Sequence, residues 1–246
     1  MQDDYEKRVK DALDGRRPDA MTINSAISRS DFDRARSLIE MLPEGAQRNQ
    51  LTETANLRES NALAVQGDLA GAMSLAGRLN RATSILAVYP NIIGKCAAKQ
   101  DETCAAHATY QAMRQLWHAD TTPPTPPAGV PVSMLPSGRE FDPTLLGLSR
   151  LAKSITPVNE TLALEVLDEM IATANRSDID TGQGRTGFEA DVFKTVAEKN
   201  EPRARQAAAA LKDQLCQIVA LAAVYQAKAE ELTKGDAKAA RQAAPR

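Results

Sequence analysis

The stretch Gly67-Asp68-Leu69-Ala70-Gly71-Ala72-Met73-Ser74-Leu75-Ala76-Gly77-Arg78-Leu79 reads as a helix start, and it is one copy of a repeated pattern. An earlier copy is Ser30-Asp31-Phe32-Asp33-Arg34-Ala35-Arg36-Ser37-Leu38-Ile39-Glu40-Met41-Leu42. With Asp31 set on Asp68, Phe32 meets Leu69, Ala35 meets Ala72, Leu38 meets Leu75, Ile39 meets Ala76 and Leu42 meets Leu79. A fainter copy begins at Asp101, with Ala105, Ala108, Ala112 and Leu116 as its apolar stripe. Each copy places a short polar residue where a helix N-cap belongs. There it can accept hydrogen bonds from the free N–H groups of the first turn and complement the positive end of the helix dipole. The alanine four residues after the Asp lets a neighbouring helix approach closely, while the flanking Leu, Ile or Met fills the remaining space.

One such helix cannot bury its stripe alone, but a series of them stacked on their neighbours can. The copies are 37 and 33 residues apart, which brackets the roughly 34-residue period of helix–turn–helix repeats. The D-x-x-x-A start resembles the second helix of tetratricopeptide-type repeats over about residues 20–118, and the layout is similar to helical-repeat proteins of bacteria. The early Trp, the small-residue and Tyr positions of the first helix and the closing Pro of that family are not reproduced in register. What the resemblance implies is therefore two helices per unit, stacked. The expected fold is all-α, an α-solenoid of antiparallel helix pairs. The alternative is an irregular bundle with coincidental alanines.

Composition agrees with helices packed at short distance. Alanine fills 42 of the 246 positions, and aromatic residues make up only 4%. A formal net charge of −2 gives no global field to attract nucleic acid or a membrane surface. No apolar run approaches the roughly 18 residues of a membrane span. The acidic start Met1-Gln2-Asp3-Asp4-Tyr5-Glu6 lacks the apolar core of a signal peptide, which leans towards the cytoplasm. Cys96 and Cys104 lie on either side of an expected helix–helix turn near Lys99-Gln100. They are either bonded across it or two small apolar residues of a reduced protein. Cys216 falls in the last helix.

Helices are expected at 3–14, 19–29, 31–42, 44–66, 68–79, 81–98 and 101–118, with a kink or break near Tyr89 because Pro90 follows it. Six of the 13 prolines lie between Pro123 and Pro136. Residues 119–140 are therefore expected to be an extended linker or arm between an N-terminal half, 1–118, and a C-terminal half, 141–233. Further helices are expected at 142–154, at 157–175 with Pro157 in its first turn, and around 188–199. A long final helix is expected to begin near Pro202. In it Ala204, Ala208, Leu211, Leu215, Ile218, Ala222, Tyr225, Ala229 and Leu232 alternate spacings of four and three, a 3.5-residue period. Residues 234–246 are expected to be disordered.

Motifs for chemistry are weak. Gly182-Gln183-Gly184-Arg185-Thr186-Gly187 has the spacing G-x-G-x-x-G but no β-α-β unit around it. Asp178, Asp180 and Glu189 match three positions of a calcium loop, but Gly182 and Gln183 stand where a ligand and the invariant glycine are wanted. His107 is one helical turn from Cys104, but the close cysteine pairs of structural zinc sites are missing. His118, beside the only tryptophan, Trp117, ends a helix. No nucleophile–base set can be placed by spacing. No catalytic residue, cofactor or metal is expected, and no nucleic acid or membrane partner. The repeated capped unit predicts a scaffold that binds a protein or peptide along a concave face. Gln47, Gln50, Thr54 and Asn61 of the polar helix 44–66 either line that groove or form a solvated face. Two alternatives remain. One is an all-helical enzyme or small-ligand binder with its site between the halves, lined by helix 44–66 or the loop 176–187. The other is an oligomerisation module, a homodimer through residues 204–232.

Overall fold

The computed structural model describes residues 6–7, 9–10, 18–120, 143–176 and 187–243, with side chains as far as 234. Ten helices are bounded among these residues: α1 (Ala20–Ser28), α2 (Phe32–Glu40), α3 (Ala46–Gln66), α4 (Leu69–Ala76), α5 (Ala82–Ala98), α6 (Glu102–Leu116), α7 (Pro143–Ile155), α8 (Glu160–Arg176), α9 (Asp191–Ala209) and α10 (Gln214–Ala243). The chain is all-α, with no strand among the described residues.

The first three hairpins share one turn. The odd helix ends on a left-handed residue, Ser30 (φ 61°), Gly67 (φ 89°) or Gln100 (φ 56°). The next residue is the aspartate of the repeat, whose N–H reaches back to Ala26, Leu63 or Cys96 at 3.0 Å. This closing bond uses up the carbonyls that a helix end leaves free. Asp68 and Asp101 then cap α4 and α6, accepting from Gly71 N and Cys104 N, each at 2.9 Å. Asp31 makes no such cap; its carboxylate lies 3.4 Å from Arg34 Nη1 instead. The alanines four residues after the aspartates, Ala35, Ala72 and Ala105, are completely buried, as is Ala163 after Asn159.

Packing follows chain order. The odd helices touch one another in series, α1 to α3, α3 to α5, α5 to α7 and α7 to α9. Each even helix lies against the odd helix before it, and α2 to α8 also against the one after. The even helices make no comparable contact with one another. A large apolar cluster runs from Ala64 on α3 to Ala227 on α10, and a smaller one joins α1, α2 and the start of α3. Gly147 on α7 allows the close approach of the second half. A Cβ there would meet Leu116 Cδ1 at 2.8 Å and Leu86 Cδ2 at 2.9 Å.

Several details differ from the sequence reading. α5 has no break at Pro90, and Leu86, Tyr89, Ile92 and Ile93 around it are all buried. Pro157 lies in the α7–α8 turn, and Asn159 caps α8 by accepting from Leu162 N at 2.8 Å. A helix does begin near Pro202, but it is not the long last one. Pro202 lies two residues after Asn200, whose non-helical backbone (φ −145°, ψ 80°) divides α9 into two helical runs and whose side chain caps the second by accepting from Arg203 N at 3.2 Å. α9 then ends at Ala209, so the 3.5-residue pattern spans two helices. The expectation of disorder from 234 is also corrected, since α10 continues to Ala243. The Pro-rich segment, apart from Ala119 and Asp120, lies outside the described residues, as do 177–186 and most of 3–14.

Two polar contacts fix the joint between α3 and α5. Buried Glu53 accepts from Asn80 N and from Arg81 N at 3.0 Å, capping α5 from a different helix. Glu53→Ala leaves these N–H groups without an acceptor and is expected to cost about 2 kcal/mol, a fall in Tm of about 4–8 °C for a chain of this size, measured by thermal denaturation. The left-handed turns make the opposite prediction. Gln100→Gly removes the strain of a side chain at positive φ and is expected to add about 0.5–1 kcal/mol, seen as a higher urea midpoint at unchanged slope.

Candidate binding surface

Helix α3 carries the residues that the sequence marks as a partner face. Gln47 and Gln50 are exposed, and Thr54 is half-buried with its hydroxyl donating to the Gln50 carbonyl at 2.8 Å. None of these three lines either of the two clefts described next. Asn61 does. Its amide donates to the Leu57 carbonyl at 3.1 Å, and its oxygen accepts from Asn91 Nδ2 of α5 at 3.0 Å.

That carboxamide pair sits between two adjoining clefts on the odd-helix layer. One, of about 440 Å³, lies between α3 and α5 and is lined by Ala64, Val65, Pro90, Gly94, Lys95 and Ala98 besides the two asparagines. The other, of about 460 Å³, lies between α3 and the α1–α2 turn, where Ile27, Phe32, Arg58 and Ala62 contribute. Val65 belongs to both clefts and is 73% exposed. Arg58 and Lys95 supply positive charge, and no carboxylate lines either cleft. Lys99 donates to the Gly67 carbonyl at 3.2 Å near the same edge. Val65 and Asn91 carry no signal in the sequence, because their role depends on α3 and α5 lying side by side.

Beside this surface, Arg36 of α2 and Glu59 of α3 form an ion pair at 2.7 Å. Burial pushes the Glu59 carboxyl above the usual carboxylate range, against the pull of Arg36. Arg36 Nη1 and Glu59 Oε2 are buried without hydrogen-bond partners, so the pair is half satisfied.

On the even-helix layer, a cleft of about 600 Å³ separates α4 from α6. Ala70, Met73 and Ser74 face His107, Tyr110, Gln111 and Arg114 across it. Gln111 and Gln115 bridge it by donating to the Met73 and Ala76 carbonyls at 3.3 and 3.1 Å. Tyr110 donates to Glu165 at 3.1 Å, which raises its hydroxyl's pKa. His107 is thus an exposed cleft residue. Trp117 is half-exposed, with the Arg176 guanidinium 5.6 Å from its ring centre, and His118 follows it at the end of α6.

Cys96 and Cys104 are joined as a disulfide, with Cα atoms 5.6 Å apart. The bridge spans the α5–α6 turn and uses up the two thiolates that would be needed beside His107 for a metal. No group of three His, Cys, Asp or Glu capable of holding a metal occurs among the described residues. Of the calcium-loop residues only Glu189 is described, and it pairs with Arg150 at 2.7 Å. The other two, like most of the glycine-rich motif, lie outside the described residues. α3 makes no substantial contact with any helix beyond α5, so it does not border the second half. Among the described residues no helix is long and apolar enough to cross a membrane.

No protein-family model matches this chain, and neither does any curated protein or solved structure.

Thiol counting tests the bridge. The remaining cysteine, Cys216, is buried, and burial together with a hydrogen bond to Asp213 pushes its thiol up to about 12. Alkylation followed by mass spectrometry is expected to label no cysteine in the native protein, only Cys216 after denaturation without reductant, and all three once reductant is added.

Proposed function

We propose that the chain is an α-solenoid scaffold that holds an extended segment of a partner protein in the clefts around Asn61, Val65 and Asn91. The observation that carries this reading is the pair of adjoining open clefts on the serially packed odd layer, sharing one exposed valine and one asparagine. Helices that pack only with their chain neighbours build a continuous surface along the stack, the geometry on which repeat proteins hold partners. The resemblance to tetratricopeptide-type repeats leads to the same expectation from the sequence.

The chemistry of the clefts narrows the partner. Ala62, Ala64, Gly94 and Ala98 leave room for a backbone to lie close, and Val65, Ile27, Phe32 and Pro90 offer apolar contacts. Asn91 has an amide oxygen able to accept from a passing backbone N–H. Arg58 and Lys95, with no acid on the lining, favour a segment that carries Asp or Glu. No nucleophile–base pair is aligned in either cleft, so binding rather than turnover is the function inferred.

Selection from a random peptide display library is the test. Acidic, extended sequences are expected to be enriched and to bind in the micromolar range by fluorescence anisotropy. Val65→Glu, which adds a charge without touching the buried core, is expected to weaken them by about tenfold or more. Binding that is unchanged by Val65→Glu would place the partner elsewhere on the molecule.

A further inference from the structure

The longest apolar period in the sequence ends on the outside of the fold. Of its nine positions, Ala204, Ala208 and Leu211 are buried on α9 and the turn after it. The other six lie on α10. Leu215 is half-buried, Ala222 and Ala229 are exposed, and Ile218, Tyr225 and Leu232 are 58%, 55% and 60% exposed. α10 is held to the stack by its opposite side, through Cys216, Ala220, Ala223, Val224 and Ala227. Nothing in the described chain covers the outward stripe, and three large apolar side chains in line on a solvent face call for a partner.

We propose that this partner is the same face of a second copy, packed antiparallel about a two-fold axis at the level of residues 223 and 224. In that register Ile218 meets the partner's Ala229, Ala222 meets the partner's Tyr225 and Leu215 meets the partner's Leu232. Each alanine receives a large side chain, and the two-fold axis makes every contact twice. A parallel pair in register would set Ala222 on Ala222 and Tyr225 on Tyr225, leaving gaps at the alanines and crowding at the ring. The stripe is its own complement only when reversed.

The charges around the stripe fit this arrangement. None of its six positions is Asp, Glu, Lys, Arg or His, and its flanks carry Val219, Leu221 and Gln226. The flanking cation Lys228 lies 3.0 Å from Glu231 and 3.8 Å from Glu201 of its own chain. The Arg205 guanidinium lies 5.6 Å from the centre of the Tyr225 ring and is ion-paired with Glu201. Both cations beside the stripe are thus neutralised within the chain before the helices meet. Ile218, Tyr225 and Leu232 together expose on the order of 300 Å², taking roughly 150–200 Å² for each whole side chain. With the smaller neighbours a pair buries about 1,000 Å² in total, at the low end of specific interfaces. The dimer is therefore reversible, with a micromolar Kd.

Sedimentation of the full chain from low micromolar to several hundred micromolar is expected to show a monomer–dimer equilibrium. Ile218→Glu/Tyr225→Glu, at two exposed positions, is expected to keep its helical circular dichroism and weaken dimerisation by about 30-fold or more. The register is tested separately. An equal mixture of Ile218→Cys and Ala229→Cys chains is expected to cross-link on mild oxidation as the mixed dimer, while neither variant cross-links alone. A chain that stays monomeric throughout, a dimer that survives the double substitution, or cross-linking of either cysteine variant with itself would each overturn the proposal.

Discussion

A turn of one left-handed residue followed by an aspartate sets the geometry of the first half of the stack. Ser30, Gly67 and Gln100 reverse the chain, and Asp31, Asp68 and Asp101 close the helix just ended with the same backbone bond. Because the turn fixes where the next helix begins, it also fixes which residue stands one turn in. In all three copies that residue is a fully buried alanine. Close approach of the paired helices thus follows from a local constraint of a few residues rather than from the size of the core. α7 and α8 use a different turn, built on Pro157 and Asn159, yet Ala163 occupies the same buried position. The constraint on spacing is kept even where the turn is not.

The joints between hairpins are made differently. Glu53 reaches from α3 to cap α5, and Arg36 of α2 reaches Glu59 of α3, while within the α3–α4 hairpin Ser60 donates to the Ala72 carbonyl at 2.7 Å. Glu59 and Ser60 lie along α3 between the residues of the smaller apolar cluster and the buried residues of the larger one. α3 therefore serves as a shared wall, with its early turns in one core and its last turns in the other. The same helix presents Asn61 and Val65 outwards, so the surface proposed for binding is supported from behind by both clusters.

What was legible in the sequence was whatever rests on neighbours in the chain. The capping aspartates, the alanine notches and the helical period all act within one or two turns, and the all-α class follows from them. The break at Ala210–Asp213 was not legible, because Ala207 to Ala210 are as acceptable in a helix as in its last turn, and the apolar spacing continues across the gap unchanged. Glu53 and Asn91 were invisible for another reason. Their partners are 27 and 30 residues away, and only the packing of α3 on α5 brings them together. Of the four polar residues singled out on α3, Asn61 is the one opposite an odd neighbour that reaches back; Gln47, Gln50 and Thr54 stand further along the same helix and line neither cleft.

The Cys96–Cys104 bridge closes over the third of the repeated turns, at the end of α5 that carries Lys95 and Ala98 into the cleft. Bonds of this kind endure where thiols are kept oxidised and are rare where glutathione keeps them reduced. The shape of that cleft wall is therefore tied to the electron supply of the surroundings. In an oxidising medium the α5–α6 corner is held covalently, whereas in a reducing one the same corner depends on its backbone bonds and buried alanines alone.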